Sequence, residues 1–224
     1  MACAGRRARG RGSMWPTGGA LLAMLAAAPA LAASHTISAG TVVYDGSVFG
    51  ADDILVTGGT AVLEIDGGTV GNAVSLDLGG TLDNTGSIAQ SGRPGVWAGV
   101  GIVNNGGGAT IAGTGNDGVY FADGGTLLNT GAGSTITGGW NGVHVVGYGT
   151  VTNTDGAAIV GGGAISSAAV YLEGGGEVTN GAGARIVGDA SAGVYGIYAT
   201  QDATVGNAGD IAAMCASPTS ARTT

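Results

Sequence analysis

The chain has 224 residues, of which 49 are Gly and none is Lys, and it carries a formal net charge of −8. An acidic chain of this kind makes nucleic acid and anionic membrane surfaces poor partners. Gly is abundant but follows no strict period of three, which excludes a collagen-like rod.

The first 32 residues read as an export signal. Arg6, Arg7, Arg9 and Arg11 form a basic start, Ala20 to Ala28 a short apolar stretch, and Ala30-Leu31-Ala32 an A-x-A cleavage site, so the mature chain is expected to begin at Ala33. The apolar stretch is too short for a comfortable membrane span. Cleavage leaves Arg93, Arg185 and Arg222 against all fifteen acids, a mature net charge of −12. It also removes Cys3, and Cys215 alone makes no intramolecular disulfide.

Residues 33–78 alternate in places, as in Val62-Leu63-Glu64-Ile65-Asp66 and Val74-Ser75-Leu76-Asp77-Leu78. They are expected to form an N-terminal cap and the first coils of a repeat structure.

From residue 79 to 213 one phrase repeats. Gly80-Thr81-Leu82-Asp83-Asn84 returns as Gly125-Thr126-Leu127-Leu128-Asn129 and Gly149-Thr150-Val151-Thr152-Asn153, with looser copies ending in Asn105, Asn180 and Asn207. Ile88, Ile111, Ile136, Ile159, Ile186 and Ile211 come after these copies, several within "Ile-x-Gly". Cutting after that motif gives blocks of 23, 25, 23, 27 and 25 residues. Each block holds three short runs rich in Val, Ile, Leu, Thr and Tyr between Gly, Asn, Asp and Ser, which is strand chemistry punctuated by turns. No block can bury its apolar side chains alone, whereas stacked blocks can. The predicted fold is all-β: a right-handed parallel β-helix with about 25 residues and three short strands per coil.

Aligning the repeats gives three inward columns. The first strand supplies Val96, Val119, Val143, Val170 and Val194; the second Leu82, Val103, Leu127, Val151, Val178 and Val205; the third the six Ile residues. Asn84, Asn105, Asn129, Asn153, Asn180 and Asn207 are expected to form a structural ladder, with Asn tolerating a left-handed corner and its amides bonding from coil to coil. Beside each inward Val of the first strand stands an outward residue: Trp97, Tyr120, His144, Tyr171 and Tyr195. In register these form one column, which is either a stabilising stack or a strip that binds glycans or a protein partner.

The chemistry of catalysis is thin. A lyase-type site needs clustered carboxylates with a Lys or Arg, and only Asp52-Asp53 is an adjacent acidic pair. No G-x-S-x-G motif is present, and no metal-ligand spacing links His35 to His144. Gly113-Thr114-Gly115-Asn116-Asp117-Gly118-Val119-Tyr120 looks like one nonapeptide of a calcium-binding repeat, but that chemistry needs consecutive copies. The reading is non-enzymatic, with no cofactor.

An export signal ahead of Gly-Thr-(Leu/Val)-x-Asn-x-Gly coils resembles the passenger region of a Gram-negative autotransporter, the pertactin-like β-helices. The resemblance covers residues 79–213, with weaker agreement back to residue 35. It implies a passenger displayed on or released from the cell surface, often an adhesin that meets host glycans or proteins, and a C-terminal translocator barrel in the outer membrane. Residues 214–224 are expected to be a disordered tail foreign to the family, with no strands of the length a barrel needs. The chain is thus expected to be a monomeric passenger fragment, at the cell surface, secreted or held in the periplasm. The alternatives are a secreted carbohydrate-active β-helix enzyme, which three or more carboxylates on one face would favour, or a truncated product without a function of its own.

Overall fold

The computed structural model describes residues 34–45, 53–163, 167–189, 193–212 and 221–223. Residues 1–32, expected from the sequence to be an export signal, lie outside them. The described residues form three parallel sheets and no helix, a β-solenoid of about seven turns. Sheet A holds eight strands, Ser34–Ile37, Asp53–Val56, Val74–Leu76, Val96–Ala98, Val119–Phe121, Val143–Val145, Ala168–Leu172 and Tyr195–Ala199. Sheet B runs from Thr41–Tyr44 through Gly124–Thr130 and Tyr148–Thr154 to Ala203–Asn207, and sheet C from Thr69–Val70 to Asp210–Ala212.

Within 33–78, expected to hold an N-terminal cap and the first coils, Thr41–Tyr44 pairs with Val62–Ile65, which pairs with Thr81–Asn84. Of the tail expected at 214–224, residues 214–220 and 224 lie outside the described residues. Ala221–Thr223 pairs in parallel with Ala203–Val205 and adds a ninth strand to sheet B.

Strand formation follows from alternation. In Val119-Tyr120-Phe121 the outer residues point in and the middle one out, and Val96-Trp97-Ala98 and Val143-His144-Val145 repeat the pattern. Stacking these triplets makes a narrow continuous core. Leu82, Val103, Leu127 and Val151 are fully buried in sheet B, and Ile88, Ile111, Ile136, Ile159 and Ile186 in sheet C. Each such side chain contributes about 1.5–3 kcal/mol of apolar burial, which no isolated coil could collect.

The sheet B and sheet C columns pair as the repeats predict. Sheet A departs in its last coil, where Val170 pairs with Ile197 rather than with Val194. Val194 is buried at the corner before that strand.

Two kinds of Gly shape the corners. Gly133, with φ +86°, follows Ala132 in the turn closed by the Ser134 N–H donating to the Gly131 carbonyl. The Gly of "Ile-x-Gly" acts differently. At Gly113 and Gly138 an added Cβ would overlap the carbonyl oxygens of Asp117 and Asn141 as the chain folds back toward sheet A. Here Gly is demanded by closeness, not by its φ.

Candidate binding face on sheet A

The outward residues of sheet A align directly. Ser75, Trp97, Tyr120, His144, Tyr171 and Tyr198 occupy one register position in successive coils. Tyr195, expected in this column, pairs instead with Ala168, outside the column's register position. The tyrosine that completes the column is Tyr198. Tyr195 stacks on it from the side, with ring centroids 5.1 Å apart at 22°.

The rings contact one another up the column. Tyr120 meets His144 edge-on at 5.0 Å, His144 stacks on Tyr171 at 4.7 Å and 15°, and Tyr171 meets Tyr198 at 5.2 Å. The His144–Tyr171 spacing matches the roughly 4.8 Å between parallel strands, so their ring planes lie across the column. This pair therefore turns edges, not faces, toward solvent. The column is a ladder of ring contacts, one edge-on, one stacked and one tilted.

His144 is the centre of a polar network that spacing alone did not reveal. Its Nδ1 lies 3.2 Å from Asp117 Oδ2 and its Nε2 lies 3.1 Å from Glu173 Oε1. Asp117 comes from the corner before Val119–Phe121, and Glu173 directly follows Ala168–Leu172, so three coils meet on one imidazole. Asp117 is buried, and its Oδ1 accepts both the backbone N–H of Asn141 at 3.0 Å and the Asn141 side-chain amide at 2.9 Å. The Asn141 side-chain oxygen in turn accepts the Ala168 N–H at 2.8 Å.

The Asp117 carboxylate points at Asn141 and His144, in keeping with a plain Asn-Asp-Gly turn. Among the described residues no group of three or more His, Cys, Asp or Glu is placed to hold a metal ion.

The electrostatics arise from the same contacts. Burial opposes a charged imidazole at His144, but the hydrogen bonds and charges of Asp117 and Glu173 outweigh it and hold the group above the ordinary histidine range. Burial, then the negative charges of Glu173, Asp117 and Asp123, push the Tyr120 phenol above its usual value. Burial and Glu173 do the same at Tyr171.

The Asn column forms a separate internal ladder. Asn84, Asn105, Asn129, Asn153 and Asn180 each donate from Nδ2 to the side-chain oxygen of the next Asn, at 2.7–2.9 Å, ending on Asn207. Asn105, Asn129 and Asn153 are fully buried. The expected left-handed corner is not their role: among the described residues Asp155 is the one non-Gly residue with positive φ. The ladder Asn residues lie at or near the ends of their strands, and the turns fall on the residues after them.

One further acidic patch lies on sheet B, where Glu64, Asp66 and Asp83 line an open depression with Val43, Ile65 and Thr85. Glu64 and Asp83 are direct register partners. Asp83 accepts the Asn104 side-chain amide at 2.6 Å.

The fold and these features define the class: a parallel β-solenoid with an in-register aromatic column, compatible with a β-helix passenger. Comparison with protein-family models, with curated proteins and with solved structures returned no match.

Proposed function

We propose that this chain is an exported, non-enzymatic β-helix passenger of the autotransporter type, an adhesin that works as a single copy at the cell surface. Support for export comes from the basic, apolar and A-x-A segments of residues 1–32. Support for the passenger class comes from the repeat phrase together with the solenoid it builds.

The observation that carries the binding reading is the sheet A column, where half-buried Tyr120, His144, Tyr171 and Tyr198 from successive coils line up in register. A rigid row of hydroxyls and one carboxylate suits a hydroxyl-rich ligand such as a surface glycan, bound by hydrogen bonds at the ring edges. A second reading rests on Glu64, Asp66 and Asp83, three carboxylates on one face, which would serve a carbohydrate-active enzyme.

A panel of immobilised neutral, amino and acidic polysaccharides tests both. The double variant Tyr120→Phe, Tyr171→Phe keeps the rings and removes the hydroxyls. Binding by the wild type that falls at least tenfold in this variant, with unchanged thermal stability, supports the sheet A face. Binding that is unaffected contradicts it. Release of reducing ends that disappears in Glu64→Gln would support the enzyme instead.

A further inference from the structure

His144 is held at both ring nitrogens, and the two partners are unlike. Asp117 is buried and fixed by two bonds from Asn141, with its side chain 5% exposed. The Glu173 side chain is 39% exposed, with solvent beside it. A carboxylate only accepts hydrogen bonds. With both carboxylates ionised, both ring nitrogens must carry a proton, so the arrangement is that of an imidazolium. Loss of one proton leaves a lone pair on one nitrogen facing a carboxylate. The Asp117 contact is locked by Asn141, so the contact that gives way is Nε2 to Glu173.

We propose that His144 and Glu173 form a proton-controlled clasp across neighbouring coils of sheet A. The clasp is closed while the imidazole is doubly protonated. It opens when Nε2 loses its proton, and Glu173 is then held by its hydrogen bond with the Tyr171 side chain alone. As the regulation of a binding face the clasp rests on the function proposed for sheet A, because loss of the imidazolium charge leaves Glu173 uncompensated where the ligand would lie. As a property of the chain it stands without that reading.

The groups that face His144 are few. From the coil before it come Tyr120 and Asp117, with Asp123 acting on Tyr120; from the coil after it come Tyr171 and Glu173, with Tyr198 beyond. No Lys exists in the chain, and Arg185 and Arg222 stand on sheets C and B. Arg93 contacts Asp53 at 3.4 Å at the other end of sheet A. Among the described residues the formal charges that act on the imidazole, those of Asp117 and Glu173, are negative, which favours its charged form. The closed clasp accordingly contributes stability fully below the ordinary histidine value of about 6.5 and loses it as pH rises through the raised value in the fold.

The test is a proton NMR titration of the full chain carrying His35→Gln, which leaves His144 as the single histidine signal. The clasp predicts a midpoint above about 6.5, a downward shift of that midpoint in Glu173→Gln, and Tyr171 ring signals that follow the His144 midpoint down in that variant, since the two rings are stacked. A midpoint at or below the ordinary value overturns the clasp. So does a raised midpoint that Glu173→Gln leaves in place, or a Tyr171 ring indifferent to the titration. The titration needs no ligand, so failure to bind any polysaccharide would overturn the binding reading and leave this result untouched.

Discussion

At Asn129 the amide nitrogen donates to the Asn153 side-chain oxygen at 2.8 Å and to the Ala158 carbonyl at 2.9 Å, while Asn129 Oδ1 accepts from Asn105 at 2.8 Å. One side chain thus joins three coils in a closely packed interior. Asn129→Ala leaves the buried Asn153 oxygen and the Ala158 carbonyl short of a donor, at about 1–3 kcal/mol for each buried group left unpaired. Asn207, at the exposed end of the ladder, has solvent to replace its partners, so Asn207→Ala should cost well under about 1 kcal/mol. Urea unfolding of the two variants checks this, and equal losses would contradict the ladder. The column was legible in the sequence because Asn recurs two residues after each inward Leu or Val of sheet B from Leu82 to Val205. The His144 network was not, because Asp117 and Glu173 reach it from different coils at separations of 27 and 29 residues. An outward Glu173 two residues after Tyr171 was the available signal, since alternate residues of a strand share a face.

Among the elements, the "Ile-x-Gly" strands show how a short motif carries a corner. Ile136 fills the core, Thr137 faces out, and Gly138 lies where any Cβ would overlap the Asn141 carbonyl. Gly206 is the contrast: it sits in the strand Ala203–Asn207, and a Cβ there would meet nothing within 4 Å. Replacing Gly by Ala gains about 0.4–1 kcal/mol where the backbone accepts it, so Gly206→Ala should stabilise. Gly138→Ala should destabilise by more than that gain and displace Asn141 from Asp117. Thermal unfolding that moves both variants in the same direction would contradict the account. Register was the weaker part of the sequence reading. The Val-Tyr pair at 194–195 matched the pattern, yet the coil that closes the column uses Ile197-Tyr198. The neighbouring ladder gave only a hint: its Asn153–Asn180 and Asn180–Asn207 steps are both 27 residues, longer than the 24 of the coils before. Adjacent columns differ in step, 23 residues from Ile136 to Ile159 against 27 from Val143 to Val170, so coil length alone did not decide between Tyr195 and Tyr198.

For the molecule as a whole, the core columns, the Asn ladder and the sheet A face all depend on coils lying in strict parallel register, because a slip of one residue would turn the outward aromatics inward. The stacked Ile, Leu and Asn columns hold that register together, apolar burial supplying cohesion and the amides supplying position. The sheets and their repeats were readable from turn residues and strand alternation, since those are local. What meets on a face was only partly readable, since it is set by coil lengths that vary from 21 to 27 residues along the Asn ladder. The most direct measurement is a disulfide test of register in a chain with Cys3 and Cys215 replaced by Ser. Leu128 and Thr152 are direct partners on sheet B, within the roughly 4.4–6.8 Å between Cα atoms that a disulfide spans, whereas a partner two residues along lies about 7–8 Å away. The account predicts that Leu128→Cys with Thr152→Cys links under mild oxidation and that Leu128→Cys with Thr150→Cys does not, read by mass spectrometry of the digested chain. Preferred linking of the second pair, or equal linking of both, would contradict the stacked register on which the sheet A face depends.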